Sequence, residues 1–158
     1  MVTRPIERLR ALGHELPPAP AAMASYVPTR LVPLGGGRSL LYVAGQVPVR
    51  DGRLLTGRVP NEVSVEQAQD AARVCALNIL AQIEDAAGLD NVEQVAQLIG
   101  FVLSTDEFGD QPTVINAASD LLVEVLGEAG RHSRAALGTN SLPRGVTVEI
   151  AAVAVVGT

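Results

Sequence analysis

The 158-residue sequence has no lysine, no tryptophan, one cysteine and four aromatic side chains (Tyr26, Tyr42, Phe101 and Phe108). Each shortage excludes something. Without lysine there is no Schiff-base chemistry on an ε-amine and no P-loop lysine. One cysteine closes no internal disulfide and builds no zinc cluster. Four aromatics are too few for a base-stacking platform. No stretch approaches the ~18 consecutive apolar residues that a membrane-spanning helix needs. Positive charge is also in the minority. Twelve arginines face 17 acidic residues, for a formal net charge of −5. An acidic chain repels phosphate backbones, which disfavours general nucleic-acid binding. Neither HExxH, GxSxG nor GxGxxG occurs. The GGGR at 35–38 lacks the Gly-Lys-Ser/Thr ending of a phosphate loop and reads as a turn.

Apolar residues, by contrast, are plentiful. They make up 47% of the sequence, with 18% charged and a mean hydropathy of +0.26. The composition is that of one globular domain rather than a disordered tail. The N-terminus carries early arginines without an apolar stretch behind them. It does not read as a secretory signal, so a cytoplasmic protein is expected.

Residues 3–12 predict a short helix, with Thr3 as cap, Pro5 in the first turn, Gly13 at the end and Ile6, Leu9 and Leu12 near one face. The proline-rich segment before Tyr26 reads as extended and irregular. Arg30–Leu34 and Leu40–Val47 predict two strands joined by the GGGR turn, and Asp51-Gly52 marks a second turn before a short strand at 54–57. Ser64 and Gln67 form a capping-box pattern. They open a long helix whose apolar positions run from Ala68 through Cys75 to Ala86, with Gly88 ending it. Val95–Leu103 is a strand-length apolar run of the kind buried on both faces. Pro112–Leu126 predicts a second long helix capped by Asp110. Ser133–Thr139 and Val146–Val156 predict the last two strands.

The fold class is therefore α+β. Two helices cover one face of a mixed sheet of five to six strands and leave the other face bare. The last strand is apolar on both sides, with Glu149 among Ala151, Val153 and Val155 on its second face. A bare apolar face of several hundred Å² does not stay in water, and at ~25 cal/mol per Å² it carries several kcal/mol of association free energy. A homo-oligomer is expected.

Glu149 interrupts this apolar strand, so its carboxylate is desolvated unless paired. It is either a structural ion pair or wet strand edge, or a functional carboxylate at a subunit seam. Arg134 alone is a surface arginine. If the last two strands pair, it shares a pocket with Glu149 as a clamp for a substrate carboxylate. His132 and His14 read as solvated loop residues, Cys75 as an inert core thiol, and Asn116 as a cap or an exposed polar residue of the second helix. The hydroxyl of Tyr26 either anchors the proline-rich segment or enters a pocket.

Four blocks make the sequence resemble the Rid family, also called YjgF or reactive-intermediate deaminases. They are SYVP at 25–28, YVAGQVPV at 42–49, TVINAASDLL at 113–122 and SRAALGTNSLPRGVTVEIAAVAV at 133–155. The last is the most specific, running from Arg134 through Leu142-Pro143 to the strand holding Glu149. The N-terminal extension, the Gln111-Pro112 helix start and GEAGRHSR resemble the divergent branch labelled YjgF-like endoribonuclease. The resemblance implies a chorismate-mutase-like fold over 24–158 behind an extension at 1–23. It also implies a homotrimer with sites between subunits, and cofactor-independent hydrolysis of enamines and imines such as 2-aminoacrylate to 2-oxo acids and ammonia. Carried over by position, Arg134 grips the substrate carboxylate, Glu149 positions or activates water, and Tyr26, Ala44, Gly45, Asn116 and Ala136 line the pocket. Ala136 stands where many members have cysteine, and Ala44 where many have serine. No cofactor, metal or membrane is implied; the partner is a small carboxylate-bearing metabolite. The rival readings are a non-catalytic carboxylate-binding or regulatory trimer, and an endoribonuclease or translation inhibitor.

Overall fold

The computed structural model describes residues 3–157. A short helix α1 (Pro5–Ala11) precedes the hairpin β1 (Thr29–Gly35) and β2 (Arg38–Gln46). A two-stranded ribbon follows, β3 (Val49–Arg50) and β4 (Arg53–Leu54). Then come α2 (Val65–Ala86), β5 (Val92–Leu103), α3 (Gln111–Leu126), β6 (Ser133–Thr139) and β7 (Val148–Gly157). One five-stranded sheet runs in the order β1-β2-β7-β5-β6, and β3-β4 form a separate ribbon. All pairs in the main sheet are antiparallel except β5-β6, which α3 joins as a crossover.

Local chemistry accounts for most boundaries. The β1-β2 turn holds Gly36 and Gly37 at φ of +62° and +71°, the pair of left-handed conformations that a tight two-residue hairpin demands. The α2 capping box is complete: the Gln67 N–H donates to Ser64 Oγ at 3.1 Å, and the Ser64 N–H donates to Gln67 Oε1 at 2.8 Å. At α1 the cap falls on Arg4 rather than Thr3, and the Arg4 N–H donates to the Glu7 carboxylate at 3.1 Å. Leu9 buries fully against the core while Leu12 stays exposed, because the helix stops before Leu12 can turn inward. The N-terminal segment packs on the rest of the chain through α1 against α3 and through the Arg4–Asp90 ion pair.

Both long helices lie on one face of the sheet, α2 over β2 and β7, α3 over β5 and β6. The core is the layer between them, with Leu41, Leu98, Ile150, Ile79, Ile83 and Leu122 among its fully or almost fully buried side chains. Strand β7 alternates strictly between buried and half-buried residues. Its inner face holds Val148, Ile150 and Ala152; its outer face holds Glu149, Ala151 and Val153. The run Val95–Leu103 differs from the expectation of two buried faces. Leu98, Gly100 and Val102 are buried against α3, but Phe101 on the other face is 36% exposed. Among the described residues no helix covers that side: α1 packs on α3, and α2 and α3 lie on the opposite face. Tyr42 on β2 and Leu137 on β6 extend the same open apolar face, at 46% and 47% exposure.

The expected pairing of the last two strands is corrected. Strand β5 lies between β6 and β7. Because α3 carries the chain back to the start of β5, β6 enters parallel at the sheet edge, and β7 fills the gap between β2 and β5.

Candidate functional site

The strand order separates the two residues on which the expected site depended. Arg134 is in register with Leu98, and Leu98 with Ala152; Glu149 is in register with Phe101. Residues in register share a face. Arg134 therefore sits on the helix-covered face with Leu98, and Glu149 on the open face with Phe101. They are two strands and three residues apart, about 14 Å from strand spacing and rise per residue, and on opposite sides of the sheet. A single copy of the chain holds no pocket containing both.

Each residue has its own surroundings. Glu149 lines a cleft of about 490 Å³ together with Met23, Ala24, Tyr26, Ala44, Gly45, Val47, Pro143 and Arg144. Four of the seven expected site residues, Tyr26, Ala44, Gly45 and Glu149, thus converge. The convergence depends on an irregularity in β2. Between Val43, paired with Ala152, and Gln46, paired with Ile150, the ladder slips by one residue. The extra residue belongs to Ala44-Gly45, and such a bulge re-aims the strand. A Cβ on Gly45 would lie 2.3 Å from Glu149 Oε1, so the carboxylate lies directly against the glycine backbone. No cation pairs with Glu149 among the described residues. Its half-burial without a counter-charge pushes the carboxyl above its usual range.

The wall of the cleft is braced by two residues that sequence reading passed over. Asn78 and Gln82 of α2 are buried. Asn78 Nδ2 donates to the Val47 carbonyl at 3.0 Å, and Gln82 Nε2 donates to the Pro20 carbonyl at 2.6 Å. Their signal was two amides four residues apart on an apolar helix face, which places them side by side. Gln82 fastens the proline-rich segment, which has few ladder bonds of its own, so that Tyr26 stands at the cleft, and Asn78 fastens the chain just past β2. The Tyr26 hydroxyl accepts from the Met23 N–H at 3.4 Å, and the ring stays exposed.

The other three expected residues gather at the β6 edge. Arg134 Nη1 donates to Asn116 Oδ1 at 2.8 Å and to Ser119 Oγ at 3.1 Å, both on α3. Ala136, in register with Gly100, packs against the core beside them. Gly100 permits this approach, because a Cβ there would lie 2.6 Å from Ile115 Cδ1; α3 thus sits low enough on the sheet to bring Asn116 and Ser119 to Arg134. Ser119 also meets His132 Nε2 at 2.9 Å, and His132 Nδ1 meets the Gly130 carbonyl at 2.6 Å. His132 is therefore bound into the site edge rather than solvated. Ser119 was missed although it lies one turn from Asn116 on the same helix face; the partnership with His132 is tertiary and leaves no trace in spacing. Cys75 is the core thiol expected, fully buried. Burial, with the Glu149 charge beyond it, pushes the thiol well above its usual value, which removes it as a nucleophile.

The arrangement offers an arginine at one edge of the molecule and an unpaired carboxylate in a cleft on the other face. Among the described residues no helix is long and apolar enough to cross a membrane. The sequence matches, over residues 6–152, the family model described as "YjgF/chorismate_mutase-like, putative endoribonuclease". It is 41% identical over 145 residues to Protein TCP17 of Trypanosoma cruzi, covering 90% of this chain and 88% of that protein. The crystal structure of the protein Atu1372 from Agrobacterium tumefaciens is 46% identical, with a TM-score of 0.86 over 96% of this chain and 92% of that one. E. coli TdcF, solved with bound serine, is 25% identical, with a TM-score of 0.63 over 89% of this chain and 94% of that one. With the sheet order, the helix pair and nearly the whole length accounted for, the chain belongs to the YjgF/chorismate mutase-like family.

Proposed function

We propose that this protein hydrolyses small carboxylate-bearing enamines and imines of the 2-aminoacrylate type to 2-oxo acids and ammonia, without a cofactor. The site is assembled between copies of the chain in a homotrimer. Arg134 and Asn116 come from one protomer, and Glu149, Tyr26, Ala44 and Gly45 from its neighbour. The observation that carries this reading is the separation itself. A guanidinium with donors to spare and a half-buried carboxylate with no counter-charge sit on opposite faces of one sheet. An open apolar face lies between the cleft and the β6 edge, ready to seat a second copy.

The reaction asks little of the protein. Protonation of the enamine carbon gives the imine. Water adds to the imine carbon, the nitrogen takes up a proton, and the C–N bond breaks to leave a carbonyl and ammonia. Arg134 holds the carboxylate in a two-point grip and so fixes where the reacting carbon lies. The Glu149 carboxylate orients the attacking water and takes its proton as the C–O bond forms. Bound serine in TdcF supports a small carboxylate as the ligand class.

Ala136 and Ala44 favour one second reading, a carboxylate-binding trimer without turnover, since neither a thiol nor a hydroxyl is presented at these positions. The family description also contains an endoribonuclease. A net charge of −5 and four aromatic side chains fit RNA poorly. The test is release of ammonia and 2-oxo acid from enamines generated in situ by a dehydratase acting on serine or threonine. The wild-type protein accelerates release and Arg134→Ala abolishes the acceleration. Equal rates for the two proteins would overturn the assignment, and tight binding of 2-oxobutyrate without turnover would select the second reading.

A further inference from the structure

We propose that Ser119 and His132 are positioning residues for Arg134, and that they leave one particular edge of its guanidinium to the substrate carboxylate. This rests on the reading of Arg134 as the carboxylate clamp.

The direction of each hydrogen bond follows from chemistry. The Gly130 carbonyl only accepts, so His132 Nδ1, 2.6 Å away, carries a proton. In neutral imidazole the proton on Nδ1 leaves Nε2 as an acceptor. The partner of Nε2 is Ser119 Oγ at 2.9 Å, so the Ser119 hydroxyl donates to His132. Its oxygen lone pairs are then turned to Arg134, whose Nη1 donates to it at 3.1 Å. The second Nη1 proton goes to Asn116 Oδ1 at 2.8 Å. A guanidinium has five N–H groups; both on Nη1 are committed. Nε and Nη2 have no partner among the described residues, and they share the one edge of the fork that offers two parallel bonds without Nη1. The carboxylate is therefore received side-on, at Nε and Nη2.

The backbone is built to hold this chain of bonds. A Cβ on Gly130 would strike the Leu122 carbonyl on α3, so only glycine lets the 127–130 turn close against the helix and bring its carbonyl under His132. Ser119 sits where α3 faces both β6 and that turn. An arginine held at two points on Nη1 has less freedom to lose when the ligand arrives, which lowers the cost of binding.

The experiment has two arms. In the first, on ligand-free protein, 15N NMR reads the His132 tautomer and the rotation of the Arg134 Nη groups. The expected result is a proton on Nδ1, resolved slow-rotating Nη1 protons in the wild type, and collapse of those resonances in Ser119→Ala. A proton on Nε2, or a freely rotating Nη1 in the wild type, overturns the proposal whether or not the protein is an enzyme. In the second arm, Ser119→Ala raises KM for the enamine about tenfold, the loss of one charge-assisted hydrogen bond, with kcat within about twofold. Ser119→Thr, which keeps the hydroxyl, restores KM. An unchanged KM in Ser119→Ala, when Arg134→Ala is inactive, overturns the positioning role and leaves the clamp standing. An inactive wild type removes the proposed function, and the NMR arm still decides the bond directions.

Discussion

Glu149 is half-buried without a cation, so its carboxyl binds a proton more tightly in the folded chain than in the unfolded one. A raised carboxyl value stabilises the fold at low pH, and that contribution is lost as pH rises through the folded value. If its charged form is the one that orients water, activity falls on acidification through that same raised value. The acid limb of the kcat/KM profile is therefore expected above the ~4.3 of an ordinary glutamate, and Glu149→Gln removes the limb along with most of the activity. Gly45→Ala places a methyl carbon 2.3 Å from Glu149 Oε1, inside contact distance. The side chain can swing away, so the expected result is a large loss of turnover with a small change in melting temperature; retained turnover would show that Glu149 need not lie there. At this scale the sequence was readable where a residue broke a pattern, as Glu149 does in an apolar strand. It was silent where the partner arrives from elsewhere in the fold, as His132 does at Ser119.

Among the elements, α2 and the hairpin were legible from their caps and turns because those signals are local. The Ser64–Gln67 box forms as its spacing dictates, and Ser64→Ala is expected to cost about 1 kcal/mol in denaturant unfolding. Strand order was not legible in the same way. The turn SLPRG between the last two strands resembles a hairpin connection, yet β7 pairs with β2 and β5 instead. What decides the order is the crossover through α3, which needs a parallel partner for β6 and places it at the edge. The tight seat of that crossover is visible at Gly130. Gly130→Ala would force α3 and the following turn apart, and a loss of about 2–3 kcal/mol in stability is expected, in the range of overpacked core sites. An alanine variant as stable as the wild type would mean that the turn does not close on the helix.

For the whole molecule, the bare sheet face is the dominant feature. Phe101, Leu137 and Tyr42 stand exposed on it, and the composition had already implied too few helices to cover two faces. Association is expected to persist in high salt, because it rests on apolar area rather than charge. Phe101→Glu, placing a charge on that face, is expected to shift the protein towards single copies in analytical ultracentrifugation and to abolish activity with it. An active monomeric variant would separate the site from assembly.

The central claim is that one copy supplies Arg134 and another supplies Glu149. Arg134→Ala and Glu149→Ala proteins, each inactive alone, can be co-refolded in equal amounts and assayed for ammonia release. If the sites are composite and copies mix at random, about a quarter of sites pair an intact arginine with an intact glutamate, and about a quarter of wild-type activity returns. Mixed assemblies that remain inactive, beside a fully active wild type refolded in parallel, would contradict it.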